Sequence, residues 1–519
     1  MTATLTGNEV QPEGRKPLTK IVLASYAAPA TPLALVGLPL AVYLPAIYAD
    51  SEGFGLSLVL VGLIITLSRF TDVITDPIIG FLSDRLRTRW GRRKPFILLG
   101  TPIFAAGIWF LFVPPFTFSQ VSLFGMEFSS GYPYLFMMVA LTYLGSTIKD
   151  IPYVSWGAEL SKNYNERTLI TSWREGFSVS GALIAAFVPA VILFFGYTKP
   201  TDAVYFLSIG MCVVMPILVL NALIVVPEYP VIETRKKMPL KESLKVVLQN
   251  GPYITLIIIF MFSTLGSAMT NSLSFFFVKH VLLAGDLYGL YLAPYFISQI
   301  AAIPIWFALS RRIGKHRATM VAIAWYSIWA CFVPIIAISP DVWFDSFEIP
   351  ILLSFLPEAQ YAVVVSHFEG IDTGKFLFFI IIMCLKGSAI GALAALPAAM
   401  AADVVDVDTV RTGLKRAGAY FSIWSMTRKM AYAIGILVGT GLVVAFGFDS
   451  LADPMNTTNT EFSLLMLACT YSVVPALFKL VAVPLLWKYP LTEERLAEIQ
   501  SEIAVKQETS TKEAASIPG

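Results

Sequence analysis

Twelve apolar segments, each long enough to cross a lipid bilayer, constrain the fold of this chain more than any other feature of its sequence. A helix needs about 20 apolar residues to span the hydrocarbon core of a membrane. The sequence therefore predicts an all-α integral membrane protein. The expected spans are 21–49, 57–83, 95–115, 133–158, 171–196, 203–226, 252–278, 287–309, 318–339, 375–401, 417–446 and 462–488.

The composition agrees with a protein that crosses the membrane many times. Hydrophobic residues make up 56% and charged residues 14% of the 519 residues, and the mean hydropathy is +0.71. A soluble domain carries about 25% charged residues. The net charge of +2 is too small to indicate a nucleic-acid partner.

A polar segment divides the spans into two sets of six. Residues 228–251 contain Leu240, Leu244 and Leu248 at intervals of four, with lysines beside them, which predicts an amphipathic helix on the membrane surface. The predicted organisation is an N-terminal six-helix half (1–227), this cytoplasmic linker (228–251), a C-terminal six-helix half (252–489) and a cytoplasmic tail (490–519). The outer connection 340–374 is apolar enough to lie on the membrane or to cap the mouth of the protein.

Lysine and arginine are distributed unequally between the two sides of the predicted bundle. They are concentrated in the loops that follow spans two, four, six, eight and ten, whereas loops 50–56, 116–132 and 447–461 contain none. Lys199, Lys279 and Lys375 stand alone at the ends of spans. By the positive-inside rule, both termini are expected in the cytoplasm.

The second span carries three ionisable residues on one helical face. Arg69, Asp72 and Asp76 are three and four residues apart, and each charge costs roughly 2.5–3.5 kcal/mol at the bilayer centre. Asp72 and Asp76 can reach one point, where sodium would find the oxygen ligands that hard cations prefer. Because two nearby carboxylates repel each other, one of them is expected either to take up a proton or to be neutralised by a bound cation. A proton is therefore as good a candidate for the coupling ion as sodium. A pair of Arg69 with Asp72 that only pins helices is a third interpretation, although it leaves Asp76 unpaired.

Further charges occur inside later spans. Asp150, Arg174 and Lys429 come from spans four, five and eleven, and they are tolerable only if they converge on one wet cavity between the halves. Glu175 accompanies Arg174. For Lys386 in span ten, structural pairing and contact with substrate remain equally open.

Several kinds of chemistry lack their sequence signals. The three histidines lie at loop edges without metal-ligand spacing, and the four cysteines lack CxxC spacing, so neither a metal site nor a disulfide is expected. No GxxxxGK[ST] motif is present, so ATP is not expected to drive the protein. No nucleophile with a base appears in the spans, so the chain is not expected to be an enzyme, and no cofactor is expected.

The basic loop after span two resembles a signature of the major facilitator superfamily. It reads GFLSDRLRTRWGRRK, and a related stretch, ALSRRIGKHR, follows span eight. The resemblance implies that fold, with Asp84, Arg85, Gly91 and Arg92 as a cytoplasmic gate. Arginines that only fix topology remain the alternative.

Five stretches resemble the glycoside-pentoside-hexuronide:cation symporters, typified by melibiose permease: RFTDVITDPIIGFLSDRLRTRWGRRKPFILLG, TIKDIPYVSWGAEL, SWREGF, ADVVDVDTVRTGLKRAGAYFSIWSMTRK and YPLTEERLAEI. The resemblance implies a cation site of Asp72, Asp76 and Thr147, with Thr75 where sugar transporters often have asparagine. It implies a substrate site that includes Asp150 and Arg174, with Lys429 near both sites. Arg69 and Trp156 are further candidate substrate contacts.

The chain also departs from the sugar-transporting pattern. Span one carries Leu33 and Ala34 where a Lys-Asp pair is expected, so it would contribute only shape and apolar contact. Val154 replaces an expected aromatic residue, although Trp156 is close by. Both departures weaken the sugar interpretation, and the family also includes carriers of lysolipids.

The expected function is therefore symport of a sugar or glycoside with Na+ or H+ by alternating access. An amphiphilic lipid or another organic solute is the alternative cargo, and a non-transporting membrane sensor is the other class of function. The expected partners are a small-molecule substrate, a monovalent cation and membrane lipids. The expected form is a monomer in the bacterial inner membrane.

Overall fold

The computed structural model describes residues 18–86, 88–123, 126–161, 164–228, 249–339, 371–412, 417–454 and 458–489. Most of the predicted linker 228–251, most of the connection 340–374 and all of the tail 490–519 lie outside these residues. The side chain of Asp84, one of the predicted gate residues, also lies outside what is described.

Twelve long helices make up the described part of the chain, and their limits agree with the predicted spans to within a few residues at most ends. Helix α10 is the main exception, because it continues past the predicted end at 401. The helices are α1 (Lys20–Ala49), α2 (Leu58–Arg85), α3 (Lys94–Phe112), α4 (Gly131–Glu159), α5 (Tyr164–Leu193), α6 (Pro200–Val225), α7 (Gly251–His280), α8 (Tyr288–Ile313), α9 (Lys315–Ile338), α10 (Thr373–Ser388 and Ile390–Thr412), α11 (Ala417–Ala445) and α12 (Glu461–Trp487).

Eleven of these helices are long and apolar enough to cross a membrane, within the described residues. Helix α4 is not among the eleven, although it has 29 residues. It carries Lys149 and Asp150 in its interior, and it packs along α3 and α2. Its neighbours therefore place it in the same bundle as the other helices.

A short β-hairpin lies between α3 and α4 and was not predicted. Strand β1 (Gln120–Leu123) pairs antiparallel with β2 (Met126–Ser129), with Gln120 opposite Ser129. Strands of four residues carry too few alternations of apolar and polar side chains to be recognised in a connecting loop.

The two halves meet through helices at equivalent positions. Helix α2 packs on α11 and α5 packs on α8, and each of these pairs joins the second helix of one half to the fifth helix of the other. Close approach requires small residues: a Cβ added at Gly289 would lie 2.6 Å from Cβ of Pro189. Thr66 in α2 donates a hydrogen bond to the Ala433 carbonyl in α11 at 2.8 Å. This repeated interface is the usual place for a transporter's binding sites.

Candidate cation and substrate sites

A cluster of charged residues, called here the cation cluster, joins the two halves at the contact of α2 with α11. It consists of Asp72, Asp76 and Lys429. Asp72 and Asp76 lie one turn apart on α2, and the Asp72 side chain is only 3% exposed. The Lys429 ammonium enters from α11, with Nζ 2.6 Å from Oδ2 of Asp76 and 3.2 Å from Oδ2 of Asp72. Because one cation contacts both carboxylates, it offsets their mutual repulsion within α2 and connects that helix to α11.

Two further side chains support this cluster from the N-terminal half. A guanidinium nitrogen of Arg69 lies 3.3 Å from Oδ2 of Asp72, and the guanidinium carbon lies 3.6 Å from the centre of the Tyr143 ring. Thr147 in α4 donates a hydrogen bond to Oδ1 of Asp76 at 2.8 Å. The residues predicted for the cation site therefore lie together, and Arg69, which was predicted as a substrate contact, lies beside them.

Two buried oxygen atoms in the cluster lack hydrogen-bond partners among the described residues. They are Oδ1 of Asp72 and Oγ1 of Thr75, which belong to the same turn of α2. Buried polar atoms are normally paired, because leaving one unpaired costs about 1–3 kcal/mol. Carboxylate and hydroxyl oxygens are the ligands that a hard monovalent cation takes, so these atoms suit that role.

A second group of charges lies on α4 and α5. Asp150 accepts hydrogen bonds from Lys149 at 2.6 Å and from Ser146 at 2.5 Å. Arg174 forms an ion pair with Glu175 at 2.7 Å. The charges of Asp150 and Arg174 both interact with the hydroxyl group of Tyr153, so these two predicted substrate residues lie in one region. Lys429 pairs instead with Asp72 and Asp76, where it belongs to the cation cluster.

The structure corrects the prediction for Trp156 and separates the two alternatives for Lys386. Trp156 is 1% exposed, and its indole N–H donates to the Pro227 carbonyl at 3.1 Å, so it packs inside the N-terminal half and does not face a substrate cavity. For Lys386, the described residues favour structural pairing over contact with substrate. It is fully buried, donates to Ser472 Oγ at 3.2 Å and lies 4.8 Å from the centre of the Tyr471 ring, and no described carboxylate pairs with it.

Sequence reasoning did not single out two charged residues near the site. Lys149 is buried beneath Asp150, with its ammonium 4.1 Å from the centre of the Phe104 ring. Arg428 precedes Lys429 and has an exposed side chain, with Arg69 and Glu175 of the other half as electrostatic neighbours. Both are charges inside predicted spans, and this signal alone would have identified them.

A cavity of about 280 Å³ lies between the halves and is lined by both. Asn271 of its wall donates a hydrogen bond to the Tyr432 hydroxyl at 3.3 Å, and Tyr432 lies one turn after Lys429 on α11, so the cavity adjoins the cation cluster. Helix α1 contributes only apolar residues to the wall, as its sequence predicts. The polar lining comes from α7, α8 and α12: Thr270, Asn271, Ser274, Tyr291, Tyr295 and Tyr471.

The basic loop after α2 defines one side of the bundle, called here the basic face. The Glu228 carboxylate accepts hydrogen bonds from the backbone N–H groups of Arg92 at 2.5 Å and Arg93 at 2.7 Å, at the start of α3. Gly91 has φ +110°, and a Cβ at this position would collide with that carboxylate. Only glycine therefore fits here, and a carboxylate also suits the positive end of a helix.

The side chains of the same loop hold α3 and α4 together. Glu159 at the end of α4 pairs with Arg92 at 2.7 Å and with Arg93 at 2.8 Å. Arg85 is exposed and stacks on Phe81 at 3.9 Å. These contacts lie within the N-terminal half, so the predicted gate residues Gly91 and Arg92 brace that half in this conformation.

On the side opposite the basic face, an ion pair connects the two halves. Nζ of Lys279 at the end of α7 lies 2.8 Å from Asp50 and 3.1 Å from Glu52, both after α1. Burial raises the pKa of the Asp50 carboxyl, and the Lys279 ammonium offsets only part of this effect. A lysine that stands alone in the sequence is thus a link between the halves on this opposite face.

A bundle of two related halves with an ion cluster at their interface defines the class of secondary transporters. The chain belongs to the family described as MFS/sugar transport protein, which it matches over residues 25–493. The predicted fold of twelve helices in two six-helix halves and the resemblance to glycoside-pentoside-hexuronide:cation symporters are confirmed.

Relatives and solved structures agree with this membership. The chain is 23% identical to the putative glycoside/cation symporter YagG of Escherichia coli, with 88% of this chain and 89% of that protein covered. It is 22% identical to the sodium-dependent lysophosphatidylcholine symporter 1-A of Danio rerio, with 95% and 91% covered. A bacterial homologue of the lysosomal transporter Spinster has the same fold, with 13% identity, a TM-score of 0.60 and 94% and 99% of the chains covered.

Proposed function

We propose that this protein is a secondary active symporter that couples entry of Na+ or H+ to uptake of a sugar or glycoside by alternating access. The observation that carries this proposal is the position of the Lys429 ammonium between Asp72 and Asp76, beside the unpaired oxygens of Asp72 and Thr75. In this arrangement a mobile cation and a tethered cation compete for the same two carboxylates.

Competition for the carboxylates links the cation to the movement of helices. A cation bound by Asp72, Thr75, Asp76 and Thr147 adds positive charge beside Lys429 and Arg69, and this repulsion weakens the contact of Lys429 with α2. That contact lies in the α2–α11 interface, which must change when the two halves rock. Binding of the cation therefore biases the conformational equilibrium that carries the cargo.

The cargo would bind where Asp150 and Arg174 lie in the N-terminal half and where hydroxyl groups line the cavity on the other side. Hydroxyl and amide groups such as Thr270, Asn271 and Ser274 suit a hydroxyl-rich sugar. An amphiphilic lipid is the second candidate. It is favoured by the apolar α1 wall of the cavity and by the relative that is named for lysophosphatidylcholine.

The same proposal includes topology and surroundings. We infer that the basic face is cytoplasmic with both termini, because lysine and arginine are concentrated there. We infer a bacterial inner-membrane protein that acts as a monomer, performs no catalysis and needs no cofactor besides its coupling cation. Gly91 and Arg92 would keep the N-terminal half rigid as the halves move.

Replacement of Asp76 tests the coupling. In proteoliposomes with an imposed Na+ or proton gradient, the parent should accumulate a labelled glycoside, whereas Asp76→Asn should not accumulate it and should still exchange it down its gradient. The matched control is Glu461→Gln, an exposed carboxylate at the start of α12. Equal accumulation by the parent and Asp76→Asn would contradict the proposal.

A further inference from the structure

Lys149 and Asp150 are adjacent on α4, but their side chains lie in different surroundings. The Lys149 side chain is 2% exposed, and its ammonium lies 4.1 Å from the centre of the Phe104 ring in α3. The two helices approach closely here, because a Cβ at Gly100 would lie 2.8 Å from the backbone nitrogen of Lys149. The Asp150 side chain, in contrast, is 38% exposed. Lys149 is therefore a buried cation beside a carboxylate that water and cargo can reach.

The Lys149 ammonium occupies one oxygen of this carboxylate. Its Nζ lies 2.6 Å from Oδ1 of Asp150, and Ser146 donates a hydrogen bond to Oδ2 at 2.5 Å. Among the described residues, Asp150 is the one carboxylate that pairs with Lys149. Each carboxylate oxygen can accept two hydrogen bonds, so Asp150 can still accept bonds from the hydroxyl groups of a cargo.

This pair differs from the contacts of Lys429 in the cation cluster. Lys429 reaches α2 from the other half, so its contacts change when the halves rock. Lys149 belongs to the same helix as Asp150, so that movement does not separate them. Loss of Asp150 as a partner would also leave a buried ammonium without an anion, which is strongly unfavourable. Lys149 is therefore a permanent partner of Asp150.

We propose that Lys149 determines the charge selectivity of the cargo site. Its ammonium neutralises Asp150, so that this carboxylate accepts hydrogen bonds from uncharged groups and does not attract cationic ones. This inference rests on the proposed transport function, in which Asp150 contacts the cargo. An amine of a cargo would be attracted by Asp150 and repelled by Lys149 over similar distances, so the two effects largely cancel. Lys149 acts through Asp150 and is a positioning residue.

Two glucosides that differ only at C2 test this selectivity. The probes are 4-nitrophenyl β-D-glucopyranoside and 4-nitrophenyl 2-amino-2-deoxy-β-D-glucopyranoside. Calorimetry with purified protein measures their binding at about pH 6, where the amine is charged. The parent should bind the uncharged probe at least as tightly as the cationic one. Lys149→Met should shift the ratio of the two affinities at least about tenfold towards the cationic probe, because Asp150 then forms a charge-assisted bond with the amine.

Two further variants show whether this shift depends on the charge of Lys149. Lys149→Arg retains the charge and should keep the parent ratio to within about threefold. Lys488→Met, at an exposed lysine after α12, is the matched control and should keep it as well. Tighter binding of the cationic probe by the parent, an unchanged ratio in Lys149→Met, or binding of neither probe by the parent would overturn the inference.

Thermal unfolding tests the pair itself without any cargo. Asp150→Asn should lower the unfolding temperature by at least about 2 °C, because it leaves the Lys149 ammonium buried without its anion. Lys149→Met should have a smaller effect, since water then solvates the exposed Asp150 carboxylate. The double variant Lys149→Met, Asp150→Asn should unfold at a higher temperature than Asp150→Asn alone. Additive losses would mean that the two residues do not act as a pair, and this would also overturn the inference.

Uptake measurements distinguish a failure of this inference from a failure of the proposed function. Cation-driven accumulation of both probes, at the same relative rates in the parent and in Lys149→Met, would refute the charge selectivity and support symport. The expected shift in affinities, without accumulation of either probe under a Na+ or proton gradient, would refute symport and leave Lys149 as the residue that sets charge selectivity.

Discussion

At the scale of single residues, two buried lysines in the C-terminal half differ in the number of hydrogen bonds that their ammonium groups donate to the protein. Lys479 is 1% exposed and donates hydrogen bonds to the Ser263 carbonyl and to Ser267 Oγ, each at 2.7 Å. Lys386 is fully buried, and its one hydrogen bond, to Ser472 Oγ, is 3.2 Å long. Neither lysine has a carboxylate partner among the described residues. Because Lys386 makes fewer and longer hydrogen bonds, its burial costs more free energy than the burial of Lys479.

Lys386→Met should therefore leave the thermal unfolding temperature unchanged or raise it by up to about 2 °C, because a methionine of similar length fills the space without a buried charge. Lys479→Met is the matched comparison and should lower that temperature, because it removes the two short hydrogen bonds that Lys479 donates to Ser263 and Ser267. Scanning fluorimetry of the purified variants measures both. A larger loss in Lys386→Met than in Lys479→Met would show that this account is wrong.

The sequence predicted the members of the cation cluster better than their partners. Asp72, Asp76 and Lys429 are visible because a charge inside a span is costly and needs an explanation. The pairs Lys149–Asp150 and Arg174–Glu175 were not predicted, because adjacent residues on a helix do not face each other. Long flexible side chains nevertheless bridge this separation, and the direction in which such side chains turn does not follow from the sequence alone.

At the scale of elements, helix limits were predictable and loop contacts were not. The apolar runs end where charged or turn residues begin, so the limits of α2 and α7 follow from composition. The Glu228 carboxylate that contacts the start of α3 belongs to the residues that follow α6, and no local pattern joins these positions. The loop between α2 and α3 thus depends on a contact distant in sequence.

This loop gives a prediction that separates two arginines. Arg92→Ala removes a charge-assisted bond to Glu159, a contact that contributes about 1.5–3 kcal/mol, and should slow transport about tenfold with little change in substrate affinity. Arg85→Ala removes only a stack on Phe81 and should transport at nearly the parent rate. Initial uptake rates and equilibrium binding measure the two effects. Lower affinity with an unchanged maximal rate in Arg92→Ala would contradict this role.

At the scale of the whole molecule, the faces of the bundle differ in how the halves are joined. On the face opposite the basic loops, Lys279 connects α7 to the residues after α1, and its side chain is 8% exposed. The ion pairs of Arg92 and Arg93 with Glu159, on the basic face, lie within the N-terminal half. The link at Lys279 therefore stabilises the conformation in which the halves are closed on that face.

Lys279→Met should shift the population at least about tenfold towards a conformer open on that face, because removal of one partner from a buried ion pair costs about 3–5 kcal/mol. Spin labels at Glu127→Cys and Glu461→Cys, with the native cysteines replaced, measure the separation of the halves there. The control, Lys199→Met, lies on the same face and is exposed. Identical distance distributions in the parent and Lys279→Met would rule out this role.

The polar character of α4 has a consequence for how the protein is made. Helices enter the bilayer one after another during synthesis, and a segment that contains Lys149 and Asp150 partitions poorly into lipid by itself. Helix α3 precedes it and approaches so closely that a Cβ at Gly107 would lie 2.9 Å from the backbone of Thr142. Helix α4 should therefore enter the membrane together with α3 as a hairpin, so that a bulky residue at Gly107 would impair membrane insertion before it affected transport.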